Sequence, residues 1–244
     1  HWWAVYSRNK RSISIDLKKN EGLDLLKELV KKADVFIENF LPGTLEKWGI
    51  GPQQLNNLNK DLIILRISGW GQTGIFKNAP GFGSLVEGMS GFAAMTGEEK
   101  QAPLLPPLAL ADMVAGLTGF GAILMAILAS KKNNTGGQVI DLSLFEPFFS
   151  ILGPWAASYK ISGKIPARIG NRSNVAAPRG IYKTKDNKYV SLSASMQSMW
   201  EKLAQTIGST ELINDKRFLT NSDRLNNQDD LDKPISIFIK KYNR

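Results

Sequence analysis

The spacing of apolar residues divides the first part of the chain into strands and helices. Residues 11–17 (RSISIDL) alternate apolar and polar positions, which predicts a half-buried strand. Residues 20–30 keep helical spacing, with Asn20 as the predicted cap. Residues 34–40 and 61–68 are short apolar runs that predict two further strands. Because helices separate the strands, this order predicts an α/β fold with a parallel sheet and right-handed crossovers.

The most apolar segment, residues 113–129, predicts a buried helix. It is shorter than the ~20 residues that a membrane span needs, and it is interrupted by glycines. We therefore expect no membrane partner. Small residues recur on one face of this helix at steps of four and three, at Ala115, Gly119, Ala122, Ala126 and Ala129. Such a stripe predicts close packing against another backbone.

A change of pattern after residue 150 predicts a domain boundary. Residues 1–150 form the expected large domain, and residues 151–175 lose periodicity and gain Gly, Pro and Arg, which is typical of a linker. Residues 176–244 predict a hairpin followed by helices, a smaller α+β domain. The chain opens on His1 and stops inside a helical pattern, so we expect a fragment that lacks the first part of the large domain and the end of the small one.

The amino-acid composition excludes several kinds of catalytic and metal site but does not identify the reaction. The chain has no cysteine, and its one histidine is His1, so thiol catalysis, disulfides, Ser-His-Asp triads and histidine metal sites are excluded from its body. The lack of cysteine fits a reducing, cytoplasmic location, or a mitochondrial one in a eukaryote. The net charge of +9 allows a polyanionic partner, either nucleic acid or a phosphorylated small molecule. No cluster alternates basic with aromatic residues, as a groove for single-stranded nucleic acid would.

The segment SGWGQTG has the glycine spacing of a dinucleotide-binding motif, at Gly69, Gly71 and Gly74. That motif requires a helix that opens at its last glycine. Here residues 75–81 predict a loop, so we reject a nicotinamide site. Ligands of parallel sheets bind beyond the carboxyl ends of the strands, where this glycine loop is expected to join residues 16–18 and 38–40.

Asp112 is the only acidic residue between Glu99 and Asp141, and it stands at the start of the long apolar helix. A carboxylate at that place either caps the helix or takes part in catalysis. Local spacing alone favours the cap. We interpret Asp141 and Glu146 as structural residues.

Several ordered motifs resemble those of the class III coenzyme A transferases, which include formyl-CoA and carnitine CoA-transferases and, as a branch, alpha-methylacyl-CoA racemase. The matching stretches, over about residues 5–150, are RNKRSISIDLK, ADVFIENFLPG, ISGWGQTG, APGFG, LADMVAG and GGQVIDLSL. The resemblance implies a Rossmann-like large domain, a small domain, and a homodimer of two interlocked rings. It also implies acyl-CoA and a free carboxylic acid as substrates, without a metal.

The resemblance places the catalytic aspartate at Asp112 and implies a mixed anhydride and an aspartyl-CoA thioester on that residue. The positions that it implies for coenzyme A contact are Ile15, Asp16, Leu17, Lys18, Asn39, Phe40, Leu41, Lys47, Gly81, Phe82 and Gly83. Lys47 corresponds to a phosphate-binding position that is arginine in some members.

Two other functions compete with CoA transfer. In an acyl-CoA racemase of the same family, a histidine would occupy the position of Phe82, and phenylalanine cannot transfer a proton. A basic nucleic-acid-binding module fits the charge but is supported by no motif. An inactive fragment is a third interpretation. Which acids exchange coenzyme A is left open, although no glycine-rich loop like that of the formyl-CoA transferases is found.

Overall fold

The computed structural model describes residues 1–244 and divides into two compact units. Unit 1 comprises His1–Ser90 and Pro106–Ala156, and unit 2 comprises Gly91–Leu105 and Ala157–Arg244. The sequence pattern did not predict that residues 91–105 join the second unit. The segment predicted as a linker, residues 151–175, contains a helix at Trp155–Ser162.

Unit 1 is built on a parallel sheet of three strands, in which the strand of residues 63–68 lies between the other two. Val35 pairs with Ile63, and Ile64 pairs with Val139, so the predicted α/β fold with a parallel sheet is confirmed. In chain order the elements are α1 (Trp2–Tyr6), α2 (Asn20–Val30), β1 (Val35–Glu38), α3 (Thr44–Lys47), α4 (Pro52–Leu58), β2 (Ile63–Ser68), α5 (Gly83–Met89), α7 (Leu110–Asn133), β3 (Val139–Ser143) and α8 (Phe145–Ser150).

The predicted strand at residues 11–17 is wrong. Alternation produces a strand only where a neighbouring strand pairs with it and one face is buried. Ile13 is exposed instead, and the segment ends in a turn that leads into α2. The cap predicted at Asn20 is also wrong by one residue, because Lys19 occupies that position without a side-chain hydrogen bond.

The small residues of α7 pack against the sheet. A Cβ added to Gly119 would lie 2.9 Å from Cδ2 of Leu65 and 3.1 Å from Cδ2 of Leu142, so a larger residue would require both leucine side chains to shift. Ala115 and Ala126 on the same face are buried. The stripe predicted from the sequence is therefore a packing surface inside unit 1.

The opposite face of α7 is more exposed than predicted, since Leu117 is 75% and Met125 is 67% exposed. Only the small-residue face lies on the sheet, which explains why the expectation of a buried helix was wrong for the other face. With 24 residues, α7 is long and apolar enough to cross a membrane, but core helices of soluble proteins meet the same test.

Unit 2 contains an antiparallel hairpin, as predicted, in which Tyr182 pairs with Val190. Its remaining helices pack around Trp200, Phe218, Leu231 and Ile235, which form a core with Tyr182. Its elements are α6 (Phe92–Met95), β4 (Arg179–Lys183), β5 (Tyr189–Ser193), α10 (Gln197–Thr206), a 3-10 helix (Thr210–Ile213), α11 (Asn221–Asn226) and α12 (Gln228–Ile239), and α9 (Trp155–Ser162) crosses the division between the units.

Candidate active site

A cleft of about 530 Å³ lies at the carboxyl end of the sheet in unit 1. The loops after β1 and β2 form its walls, and the first turn of α7 contributes one residue. This is the edge where parallel sheets bind ligands. Residues that line the cleft are Asn39, Phe40, Leu41, Pro42, Ile67, Ser68, Gly69, Trp70, Lys77, Asn78, Ala79, Pro80, Gly81, Phe82, Asp112 and Leu144.

Asp112 supplies the only carboxylate that lines this cleft, and its side chain is exposed. It is the third residue of α7, whose N-cap is Ala109, and it makes no side-chain cap bond. The alternative that Asp112 is the N-cap is therefore wrong. A carboxylate in the first turn of a helix is nevertheless stabilised by the helix dipole.

Gly83 leaves space for the Asp112 carboxylate. A Cβ added to Gly83 would lie 2.6 Å from Oδ2 of Asp112, closer than carbon and oxygen can approach. The first residue of α5 and the first turn of α7 are thus in contact where the carboxylate opens to the cleft.

A buried carboxylate fixes the turn that carries Asn39 and Phe40. The Glu38 side chain is only 1% exposed, and it accepts hydrogen bonds from the Phe40 amide at 2.8 Å and from Arg66 Nε at 2.7 Å. The Phe40 ring packs edge-on against Trp48, with 5.1 Å between the ring centroids. Glu38 therefore fixes the backbone of this cleft wall, and Trp48 packs against its aromatic ring.

Arg66 joins this turn to α3. Its Nη1 donates to Oε1 of Glu46 at 2.6 Å, and its Nη2 donates to Oε2 at 3.2 Å. Burial acts to lower the pKa of Arg66, but the hydrogen bonds to Glu46 and Glu38 outweigh it and hold the pKa above its usual value. The same hydrogen bond lowers the pKa of the Glu46 carboxyl. Arg66 stays charged and links β1, β2 and α3 beneath the cleft.

Two glycines set the opposite wall. A Cβ on Gly69 would overlap the Cα of Gly81, and a Cβ on Gly81 would overlap the Cα of Gly69, so neither position accepts a side chain. The Trp70 indole donates its Nε1 hydrogen to the Pro80 carbonyl at 2.9 Å, which ties the same two loops together. Gly81 therefore has a packing role that does not depend on a ligand.

No helix opens at Gly74 in the glycine loop after β2, so the loop predicted at residues 75–81 is confirmed. Gly71 has a φ of 90°, a conformation that favours glycine. The amide of Gln72 donates to both carboxylate oxygens of Asp141, at 2.9 and 3.0 Å. Asp141 thus holds the loop in place, which agrees with a structural role.

The cleft brings together some of the predicted site residues and leaves others elsewhere. Asp112 lines it with Asn39, Phe40, Leu41, Gly81 and Phe82, and Gly83 contacts Asp112. The residues Ile15, Asp16, Leu17 and Lys18 do not line it, and Lys47 is exposed at the end of α3. Asp16 accepts a hydrogen bond from the Lys18 amide at 3.0 Å, in the turn before α2. Contact of all these residues with coenzyme A stays a prediction.

The sequence patterns did not predict the ion pair between Arg66 and Glu38 beneath the cleft. Arg66 interrupts an apolar strand, and Glu38 ends another, and a charged residue inside a buried strand is unusual enough to indicate an ion pair. Glu38 lies within the stretch ADVFIENFLPG, but no motif assigned a role to it or to Arg66, so their pairing was visible only in the structure. No group of three or more His, Cys, Asp or Glu side chains is gathered where it could hold a metal ion.

Residues 1–244 match the family model described as CoA-transferase family III. The chain belongs to this family. It is 38% identical over 242 residues to the succinyl-CoA–D-citramalate CoA-transferase of Chloroflexus aurantiacus, covering 99% of this chain and 60% of that protein. It is 32% identical over 235 residues to the human succinyl-CoA:glutarate CoA-transferase, covering 96% of this chain and 53% of that protein.

The fold agrees with a crystal structure of a CAIB/BAIF family protein from Brucella suis. The two align with a TM-score of 0.81 and 35% sequence identity, over 96% of this chain and 62% of that one. The family III chain described here thus spans about 50 to 60% of the length of the curated relatives above.

Proposed function

We propose that this chain transfers coenzyme A from an acyl-CoA to a free carboxylic acid through covalent intermediates on Asp112. The observation that carries the proposal is the isolation of Asp112, the only acidic side chain among the residues that line the cleft of a family III member. The body of the chain lacks cysteine and histidine, so the cleft offers no thiol and no imidazole to activate the Ser68 hydroxyl, whereas the Asp112 carboxylate needs no general base to act as a nucleophile.

In the proposed first half-reaction, an Asp112 carboxylate oxygen attacks the thioester carbonyl of the acyl-CoA. The C–S bond breaks and gives a mixed anhydride and the CoA thiolate. The thiolate then attacks the aspartyl carbonyl, which releases the donor acid as a carboxylate and leaves an aspartyl-CoA thioester. No net proton transfer is required, because thiolate and carboxylate are both stable leaving groups.

In the second half-reaction, the acceptor carboxylate attacks the aspartyl thioester and expels the thiolate. The thiolate then attacks the acceptor's acyl carbon in the new anhydride, which forms the product acyl-CoA and restores the Asp112 carboxylate. Splitting one difficult exchange into four acyl transfers is the advantage of nucleophilic catalysis. Phe82 lines this cleft where a racemase would need a proton carrier, which supports transfer over racemisation.

Coenzyme A is the proposed ligand of the cleft walls formed by Asn39, Phe40 and Leu41 and by Gly81 and Phe82. Apolar walls suit the pantetheine arm, and the exposed cations Lys18 and Lys47 suit its phosphates. Binding energy from these remote contacts would hold the thioester beside Asp112. Gly83 would serve by leaving room for the carboxylate.

The acids proposed for exchange carry a second carboxylate. The two relatives described above act, by name, on succinyl-CoA with D-citramalate or glutarate. Lys77 is the only cationic side chain among the residues that line the cleft, and it can pair with a distal carboxylate. A homodimer in the cytoplasm is our proposal for assembly and location. The exposed apolar face of α7 supports packing against another polypeptide, and the mass in solution tests it.

The deciding experiment compares Asp112→Asn with Asp24→Asn, which changes an exposed acid on α2. With succinyl-CoA and a panel of dicarboxylic acids, we expect Asp112→Asn to lose about 10³-fold or more in kcat and Asp24→Asn to stay near the unchanged protein. Hydroxylamine trapping followed by mass spectrometry should label Asp112 alone. Transferase activity in Asp112→Asn, or a label on another residue, would contradict the mechanism.

A further inference from the structure

Glu87 is a buried carboxylate that the proposed reaction does not use. It lies in α5, is 4% exposed, and does not line the cleft. Its Oε1 accepts a hydrogen bond from the backbone amide of Ala111 at 3.2 Å. Removing a carboxylate from water is costly unless it is hydrogen-bonded, so this position calls for a specific reason.

The start of α7 supplies that reason. The first backbone amides of a helix have no partner inside the helix, and a side chain at the N-cap normally accepts from one of them. The N-cap here is Ala109, which has no side-chain acceptor. Ala111 is fully buried, so water does not reach its amide. Glu87 therefore caps α7 from a neighbouring helix.

The capped amide belongs to the residue directly before Asp112. Gly83 and Glu87 are four residues apart, on one face of α5, and they meet the first turn of α7 at two adjacent points. Gly83 leaves space for the Asp112 carboxylate, and Glu87 holds the Ala111 backbone. Helix α5 therefore influences the orientation of the Asp112 side chain in two ways. Glu87 fixes the backbone next to Asp112, and Gly83 leaves space for its carboxylate.

We propose that Glu87 is a positioning residue for Asp112, whose acceptor oxygen fixes the first turn of α7 so that the nucleophile meets the thioester carbonyl. This inference rests on the proposed role of Asp112. Displacement of a reacting group by about 1 Å costs about 10²-fold in rate, whereas substrate binding by the distant cleft walls is unaffected. A positioning role predicts a change in kcat without a matching change in KM.

The test uses Glu87→Met, which keeps the length of the side chain and removes the acceptor, and Glu87→Gln, which keeps an acceptor oxygen. We expect kcat of Glu87→Met to fall about 10²-fold with KM for acyl-CoA nearly unchanged, and Glu87→Gln to stay within about threefold. The matched control is Val86→Ala, a buried change on the same helix that lowers stability without touching α7's capped amide. It should keep kcat at temperatures where it is folded.

Full activity of Glu87→Met overturns the proposal, and so does an equal loss of kcat in Val86→Ala or in Glu87→Gln. If Glu87→Met does not fold, Glu87→Asp replaces it, since the shorter side chain cannot reach Ala111, and the same outcomes apply. Asp112→Asn separates the two hypotheses. If that variant is active, the proposed function fails, whereas an inactive Asp112→Asn beside a fully active Glu87→Met rejects only the role of Glu87.

Discussion

Arg66 in unit 1 and Arg224 in unit 2 are both buried, at 6% and 1% exposure, yet they are satisfied by opposite kinds of partner. Arg66 bonds to two carboxylates, Glu38 and Glu46. Arg224 bonds to neutral oxygens, which include the carbonyls of Ala177 at 2.8 Å and Phe218 at 3.0 Å. Burial lowers the pKa of Arg224, whereas carboxylates raise that of Arg66.

The difference shows what each arginine holds. The carboxylate that neutralises Arg66 also accepts from the Phe40 amide, so the ion pair is part of the cleft wall. The oxygens around Arg224 belong to separate segments of unit 2, and its guanidinium lies 5.9 Å from the centroid of Trp200 in the core. Arg66 supports a wall of the cleft, whereas Arg224 ties loops to the core of unit 2.

The largest expected effect is that of Arg66→Met, which leaves the buried Glu38 without its cation. Loss of one partner of a buried ion pair costs about 3–5 kcal/mol of unfolding free energy, which denaturant titration measures. The double variant Glu38→Met, Arg66→Met should recover most of this loss, because two apolar residues of similar size need no pairing.

The double variant also separates stability from binding. It still lacks the acceptor for the Phe40 amide, so we expect a raised KM for acyl-CoA in a stable protein. A double variant as unstable as Arg66→Met would show that the ion pair itself stabilises unit 1.

A smaller loss is expected for Arg224→Met. It leaves buried carbonyls unsatisfied rather than a buried charge, which costs about 2–3 kcal/mol. Because these partners all lie in unit 2, kcat and KM for acyl-CoA should stay unchanged where the variant is folded, as enzyme kinetics at low temperature would show. An altered KM would mean that the two arginines do not differ in function.

The smallest effect is expected for Glu46→Gln. The Glu46 side chain is 46% exposed, so its bond to Arg66 contributes only about 0.5 kcal/mol at neutral pH. Its folded pKa lies below the unfolded value of about 4.5, so this contribution is complete above that value and disappears as the pH falls through the folded pKa. Denaturation curves of the two proteins should therefore converge in acid and differ at pH 7.

Sequence patterns predicted the parallel sheet because strands such as Ile63–Ser68 are short, mainly apolar runs bounded by turns, even where Arg66 interrupts one of them. They failed at residues 11–17, where alternation occurs without a pairing partner. They also failed to predict that residues 91–105 join unit 2, since that depends on distant contacts. There Arg168 donates to the carbonyls of Glu98 at 3.2 Å and Gln101 at 2.9 Å.

At the candidate site, motifs led to Asp112, Asn39 and Phe40, which the structure gathers in one cleft. They assigned no role to Glu38 or Glu87, because each accepts a hydrogen bond from a backbone amide, that of Phe40 or that of Ala111. Any sequence supplies such amides, and only the fold decides which of them a carboxylate can reach.

The contact between Gly69 and Gly81 has a consequence for redesign. With no side chain between the two loops, the backbone separation there is already at its minimum, and any substitution would push the loops apart. Under the proposed function, a larger acyl group would have to be accommodated by smaller side chains at Ile67 or Phe82. The backbone around the cleft is thus fixed, and changes in substrate preference should be sought by substituting the side chains that line it.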